Sequence, residues 1–164
     1  MLTNGILLPE FYERIPHVLA NLHSLGVSID GASKETYEKL RLGRRWEKVT
    51  SALEFIGQLK NKYKFEFNLQ FVVQNKNYHE MIKIAELGKS YNADKIYLNK
   101  LENWNTFSNW EEHNIFSKDH PNHADYKNKL NELLYSQWPN PDQPCRVYAS
   151  NLVPKDFDYN TVNW

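Results

Sequence analysis

The hydrophobic pattern of this chain switches between two periods. Phe65, Phe67, Leu69, Phe71 and Val73 alternate with Glu66, Asn68 and Gln70, and Val72 makes the end wholly apolar. A period of two predicts a strand. One face of such a strand meets helices and the other faces an interior, as in a barrel wall. Trp46, Val49, Leu53, Ile56 and Leu59 instead recur at helical spacing and predict an amphipathic helix over 46–60, with the Trp46 stripe as core packing. Tyr78, Met81, Ile82, Ala85 and Leu87 predict another over 78–90, opened by Asn77 and Glu80 as a capping box.

The remaining elements are shorter. Residues 9–22 read as helical, but Pro16 removes a donor and clashes with the preceding turn, so a break is expected at Ile15. Phe11, Val18, Leu19 and Leu22 are the expected buried side. Residues 26–29 and 93–98 are short strands. Ser33 caps a helix that ends near Leu40, and Gly43 stops it. Residues 122–135 form a last helix with Tyr126, Leu130, Leu133 and Leu134 inward.

Strands and helices therefore alternate, which predicts an α/β fold with parallel strands and right-handed crossovers. The fold class is a partial (β/α) barrel, truncated at the N-terminus. Met1-Leu2 runs straight into the turn Thr3-Asn4-Gly5, where a strand should already be finishing. The expectation is a fragment, a late start codon or a truncated gene. Such a chain leaves an unpaired sheet edge and should self-associate through it.

Residues 101–121 lack periodicity, and loops this long are usually functional or disordered. Trp104, Phe107, Trp110 and Phe116 argue against disorder. The segment either covers a substrate cleft or packs over the barrel bottom or an open edge. Three prolines make 138–144 a linker. Two parts result: 1–138 as half of a barrel, and 139–164 as a linker with the start of an extension.

Composition narrows the function. The 164 residues carry no formal net charge, so nothing electrostatic points to nucleic acid or an anionic membrane. No apolar run is long enough to span a bilayer, and no signal peptide opens the chain. A single cysteine, Cys145, excludes an internal disulfide and makes a reducing cytoplasm the default. His113, His120 and His123 have no carboxylate or thiolate at metal-ligand spacing, so no metal site is expected.

The candidate chemistry lies in Val27-Ser28-Ile29-Asp30-Gly31 and the helix after it. Ser28 and Asp30 point to the same side of a strand, where a hydroxyl and a carboxylate can grip ligand hydroxyls. Equally, Asp30-Gly31 can be a plain turn and Ser33 a plain cap. In parallel sheets ligands sit at the strands' C-terminal ends. Thr3 and Asn4, Ser28 and Asp30, Asn75, and Asn99 all fall there.

The run VSIDGASKETYEKLRLGRRWEKV resembles the fourth strand and following helix of radical S-adenosylmethionine (SAM) enzymes of the SPASM or twitch type, which are TIM-barrel-like. Thr3-Asn4-Gly5-Ile6-Leu7-Leu8 resembles the end of that family's third strand, and the likeness continues to about Asn140. The resemblance implies SAM and a [4Fe-4S] cluster held by a Cys-x-x-x-Cys-x-x-Cys loop. Reductive cleavage at that cluster yields a deoxyadenosyl radical. It implies that Ser28 and Asp30 contact ribose hydroxyls or the methionine group, and that Arg41 meets the SAM carboxylate bidentately. Thr3 and Asn4 match the third-strand end, Val73 and Asn75 the strand that meets the adenine, and Asn99 the sixth-strand end. Cys145 falls where a SPASM or twitch extension would begin. One cysteine cannot bind the cluster, so this chain alone should not cleave SAM.

Three readings follow. The first is a fragment of a radical SAM enzyme acting on a peptide, protein or small molecule. The second is a non-catalytic half-barrel module that works with another chain. The third is a different barrel enzyme in which Asp30 and Glu66 or Glu102 do acid–base work.

Overall fold

The computed structural model describes residues 1–137, 145–149 and 151–153. The linker at 138–144 lies outside the described residues, as do most of the tail and the side chain of Leu19. In chain order the elements are β1 (Leu2–Thr3), α1 (Leu8–Arg14), α2 (Pro16–Ala20), β2 (Ser24–Ser28), α3 (Lys34–Leu40), α4 (Trp46–Leu59), β3 (Glu66–Val73), α5 (Met81–Ser90), β4 (Lys95–Lys100), α6 (Trp110–His113), α7 (His123–Gln137) and β5 (Arg146–Tyr148). A single 3-10 turn, Tyr78–Glu80, precedes α5.

All described strands are parallel and belong to one sheet, whose spatial order β1-β2-β3-β4-β5 is the chain order. Successive parallel strands laid side by side, each joined by a crossover of the same hand, put the helices on one face. The sheet is consistent with part of a β/α barrel and is not closed. Arg146–Tyr148, in the segment after the prolines, pairs with β4 as the fifth strand.

The two faces differ as alternation requires. Leu25 and Val27, Phe67, Leu69, Phe71 and Val73, Ile96 and Leu98, and Val147 are buried with the helices in one core. Register puts Gly26 beside Asn68, Asn68 beside Lys95, and Lys95 beside Arg146 on the opposite face. That face is polar and grades from buried at Gly26 and Asn68 to exposed at Arg146.

Several local expectations need correction. Pro16 does break the first helix, at Ile15. However, Leu8 is buried in α1 while Phe11 is 37% exposed. Splitting the segment into two short helices sets the buried stripe by Leu8 instead. Asn77 makes no side-chain cap, so there is no capping box. Its amide is committed elsewhere. Ser33 does cap α3, accepting from Thr36 N–H at 3.3 Å. Trp46 packs edge-on against buried Tyr37, with ring centroids 5.7 Å apart.

The long loop folds over the C-terminal end of the sheet rather than its bottom. Asn75 N–H donates to His113 O at 3.3 Å, and Leu101 N–H to Val73 O at 3.2 Å. Trp104 is 79% exposed, outside this packing. Cys145 is buried beside the fifth strand, and burial pushes its thiol up to about 11, which keeps it a small apolar group at neutral pH.

Candidate functional site at the C-terminal ends of the strands

Ser28 ends β2, and the chain continues along β3 for one more bond, Ile29 N–H to Gln70 O at 2.9 Å. Asp30 then leaves the sheet with one carboxylate oxygen accepting from Val72 N–H at 3.4 Å. Gly31 follows because nothing larger fits. A Cβ there would lie 2.4 Å from Tyr37 N and 2.7 Å from Tyr37 Cα, so α3 begins directly against this glycine.

Tyr37 and Arg41 are four apart on α3 and divide the labour of that helix. Tyr37 is fully buried in the core, and Arg41 caps the C-terminus of the helix. From there the guanidinium reaches back over the strand end. Nε–H donates to Asp30 Oδ2 at 2.7 Å and Nη2–H to Ser28 Oγ at 2.6 Å. Both side chains of the ion pair are largely shielded, with 24% and 17% exposure, so the pair is screened less than a surface one. Arg41 Nη1 has no hydrogen-bond acceptor among the described residues. The arrangement holds a preset cation at a strand's C-terminal end with donors left for an anion.

Two residues from the next unit hold this loop in place. Asn77, fully buried, donates from Nδ2 to Asp30 O at 3.0 Å and to Val72 O at 2.8 Å, and accepts from Gln74 N–H at 2.8 Å. The Glu80 carboxylate, 5% exposed, accepts from Ala32 N–H at 2.6 Å, from the Ser33 hydroxyl, and from Thr36 Oγ1 at 3.0 Å. Neither was anticipated as a site residue. Their spacing was the one signal, and it suggested a local cap instead of a bridge between loops.

The other anticipated residues scatter. The Thr3 hydroxyl accepts from Gly5 N–H at 3.1 Å and Asn4 Oδ1 from Ile6 N–H at 3.2 Å. Both side chains shape the turn around Gly5, whose φ of +77° is open to glycine. Val73 is fully buried on the helix face, so only its backbone faces the strand ends. Asn75 is bound to the long loop, donating to Glu112 O at 3.0 Å and accepting from Asn122 Nδ2 at 3.0 Å. Asn99 lies on the polar face and donates to Gln70 Oε1 at 2.9 Å. The structure thus unites Ser28, Asp30 and Arg41, sets Asn99 nearby through Gln70, and assigns Thr3, Asn4 and Asn75 to loop construction.

The histidines serve the loop as well. His113 Nδ1 lies 3.4 Å from Gln74 Oε1, and its ring tilts over Phe107 with centroids 4.5 Å apart. His120 Nδ1 accepts from Asn122 N–H at 3.1 Å, and His123 Nδ1 lies 2.9 Å from Ile115 O. Glu66 is paired with Lys95 on the polar face, which lowers its pKa. An ionised, paired carboxylate at the first residue of β3, the opposite end of the strand from the Asp30 loop, is poorly suited to general acid work there.

No family model matches the chain. It is similar to an AdoMet-dependent heme synthase of Methanosarcina barkeri, with 34% identity over 93 residues, which is 56% of this chain and 25% of that protein. It is also similar to a probable GTP 3',8-cyclase of Saccharolobus islandicus, with 31% identity over 105 residues, which is 62% of this chain and 31% of that protein. The matched stretch thus spans about a quarter to a third of these relatives' length.

Proposed function

We propose that this chain is a portion of a radical SAM enzyme, carrying part of the SAM- and substrate-binding side of its barrel. Both relatives are radical SAM enzymes, and one is named as AdoMet-dependent. The observation that carries the reading is the guanidinium of Arg41, fixed by Ser28 and Asp30 beside the end of β2. Its remaining donors fit the carboxylate of SAM, and the Ser28 hydroxyl and Asp30 carboxylate lie within reach of the ammonium or ribose hydroxyls.

The cluster does not fit this chain. One buried cysteine cannot supply its thiolates, so the iron–sulfur group belongs on protein outside these residues. SAM held at such a cluster supplies radical chemistry, and the residues here bind and orient it. Alone, the chain binds without turnover. A second reading, a non-catalytic module that works with another chain, draws on the open sheet, because β1 pairs only with β2 among the described strands.

The test is titration of the 164-residue chain with SAM and with decarboxylated SAM, followed calorimetrically and by the Arg41 Nε–H resonance. SAM should bind more tightly than its decarboxylated analogue, and Arg41→Lys should weaken SAM about tenfold while barely affecting the analogue. Equal affinity for both ligands, or no saturable binding of SAM, would overturn the proposal.

A further inference from the structure

Beyond Ser28, the polar face of the sheet carries a transverse row of side chains that the proposed SAM contacts do not use. Register sets Ser28 beside Gln70, Gln70 beside Tyr97, and Tyr97 beside Tyr148. Neighbouring strands lie about 4.8 Å apart, so the row makes a floor about 14 Å across. At its far end the rings of Tyr97 and Tyr148 are stacked, with centroids 5.1 Å apart and planes at 21°. Both rings are half-exposed.

The middle of the floor is made of amides. Gln70 Oε1 holds the Asn99 amide, so the two side chains fix one another. In the next row Asn68 is 5% exposed. Its Nδ2 donates to Ser24 Oγ and Glu66 Oε1, while its Oδ1 is buried without a partner. Beside Asn68 stands Gly26, which adds no side chain to the floor. Of the charges nearby, Lys95 is paired with Glu66 and Arg41 with Asp30, while Arg146, beside Lys95, is exposed to solvent.

We propose that this row is a subsite for a neutral planar ring bearing an N–H donor. The ring stacks on Tyr97, and its N–H edge faces the amides of Gln70, Asn99 and Asn68. A flat aromatic wall favours offset stacking of another ring. Neutral amides read neutral polar edges, and a buried acceptor without a partner gains most from a donor. The site deepens the reading above and rests on it, since the row starts beside Ser28 on the same face of the sheet.

The experiment uses the isotope-labelled 164-residue chain and N-acetyl-L-tryptophanamide as the probe, read on the side-chain amide resonances of Gln70, Asn99 and Asn68. N-acetyl-L-leucinamide controls for shape, and the 1-methylindole form of the probe lacks the N–H. Saturable shifts are expected with the tryptophan probe and not with the leucine probe. Tyr97→Leu should weaken it about tenfold, with Tyr97→Phe near wild type and the methylated probe weaker severalfold. The SAM titration should not change in Tyr97→Leu, and Arg41→Lys should not change the tryptophan titration, so the two proposals fail separately. Equal binding of the leucine probe would mean the row is only a packing layer of the barrel interior. That result, the absence of saturable shifts, or unchanged affinity in a folded Tyr97→Leu would overturn the assignment.

Discussion

Asn77 hydrogen-bonds the backbone carbonyl of Asp30 from one strand–helix unit further along the chain, at 3.0 Å. The carboxylate that orients Arg41 is therefore positioned by a residue that touches neither Arg41 nor Ser28. Removing the Asn77 side chain leaves Asp30 O, Val72 O and Gln74 N–H without it. Each unsatisfied buried group costs about 1–3 kcal/mol and the costs do not simply add, so Asn77→Ala should lose about 3 kcal/mol. Urea unfolding measures this, and a loss below about 0.5 kcal/mol would show that the bridge does not hold the loop. Asn77→Asp should fare no better, because it keeps the acceptor for Gln74 but sets a carboxylate against two carbonyls.

Gly31→Ala is expected to be costly although the change is one methyl. Its Cβ would meet backbone atoms of Thr36 and Tyr37, the nearest at 2.4 Å, and backbone cannot turn aside as a side-chain tip can. Overpacking of this kind costs about 1–3 kcal/mol, which lowers Tm by several degrees in a chain of this size. Because α3 must move to relieve it, Arg41 should lose its contact with Ser28 as well. A variant with unaltered Tm and an unshifted Arg41 Nε–H signal would refute this account of the glycine.

The anchoring of the long loop should depend on pH through His113. Desolvation by burial is the largest influence on this imidazole, nearby Lys76 adds to it, and its pKa lies below the ordinary value. The detached loop therefore binds a proton more readily than the anchored one. Anchoring is complete above the ordinary imidazole pKa and weakens as pH falls from about 6.5 toward the lowered value. The Asn75 amide, bonded to His113 O, should lose hydrogen-exchange protection over that range once intrinsic exchange is corrected for. His113→Gln should remove the pH dependence, and protection that stays constant in wild type would count against the link.

How much of this was legible in the sequence varies by element. The strand carrying Phe67, Leu69 and Phe71 and the helix carrying Val49, Leu53 and Ile56 were readable almost to their ends, because one face of each is wholly buried. Ser28, Asp30 and Arg41 were legible as a group because they are close in sequence and share one strand–helix unit. Asn77 and Glu80 were visible only as a short-range pattern, and tertiary partners claimed both side chains. The Tyr97–Tyr148 stack had no local signature at all, since it exists only through the register of β4 and β5. Phe11 was misplaced because a period cannot tell which side of a short, proline-broken helix faces inward.

The spatial order of the strands repeats the order of synthesis. As the chain leaves the ribosome, each described strand after β1 finds a partner already made. The Asp30 loop is the exception, because the Asn77 and Glu80 side chains that fasten it are translated after it. The C-terminal end of β2 is therefore fastened one unit late, after β3 has formed beside it.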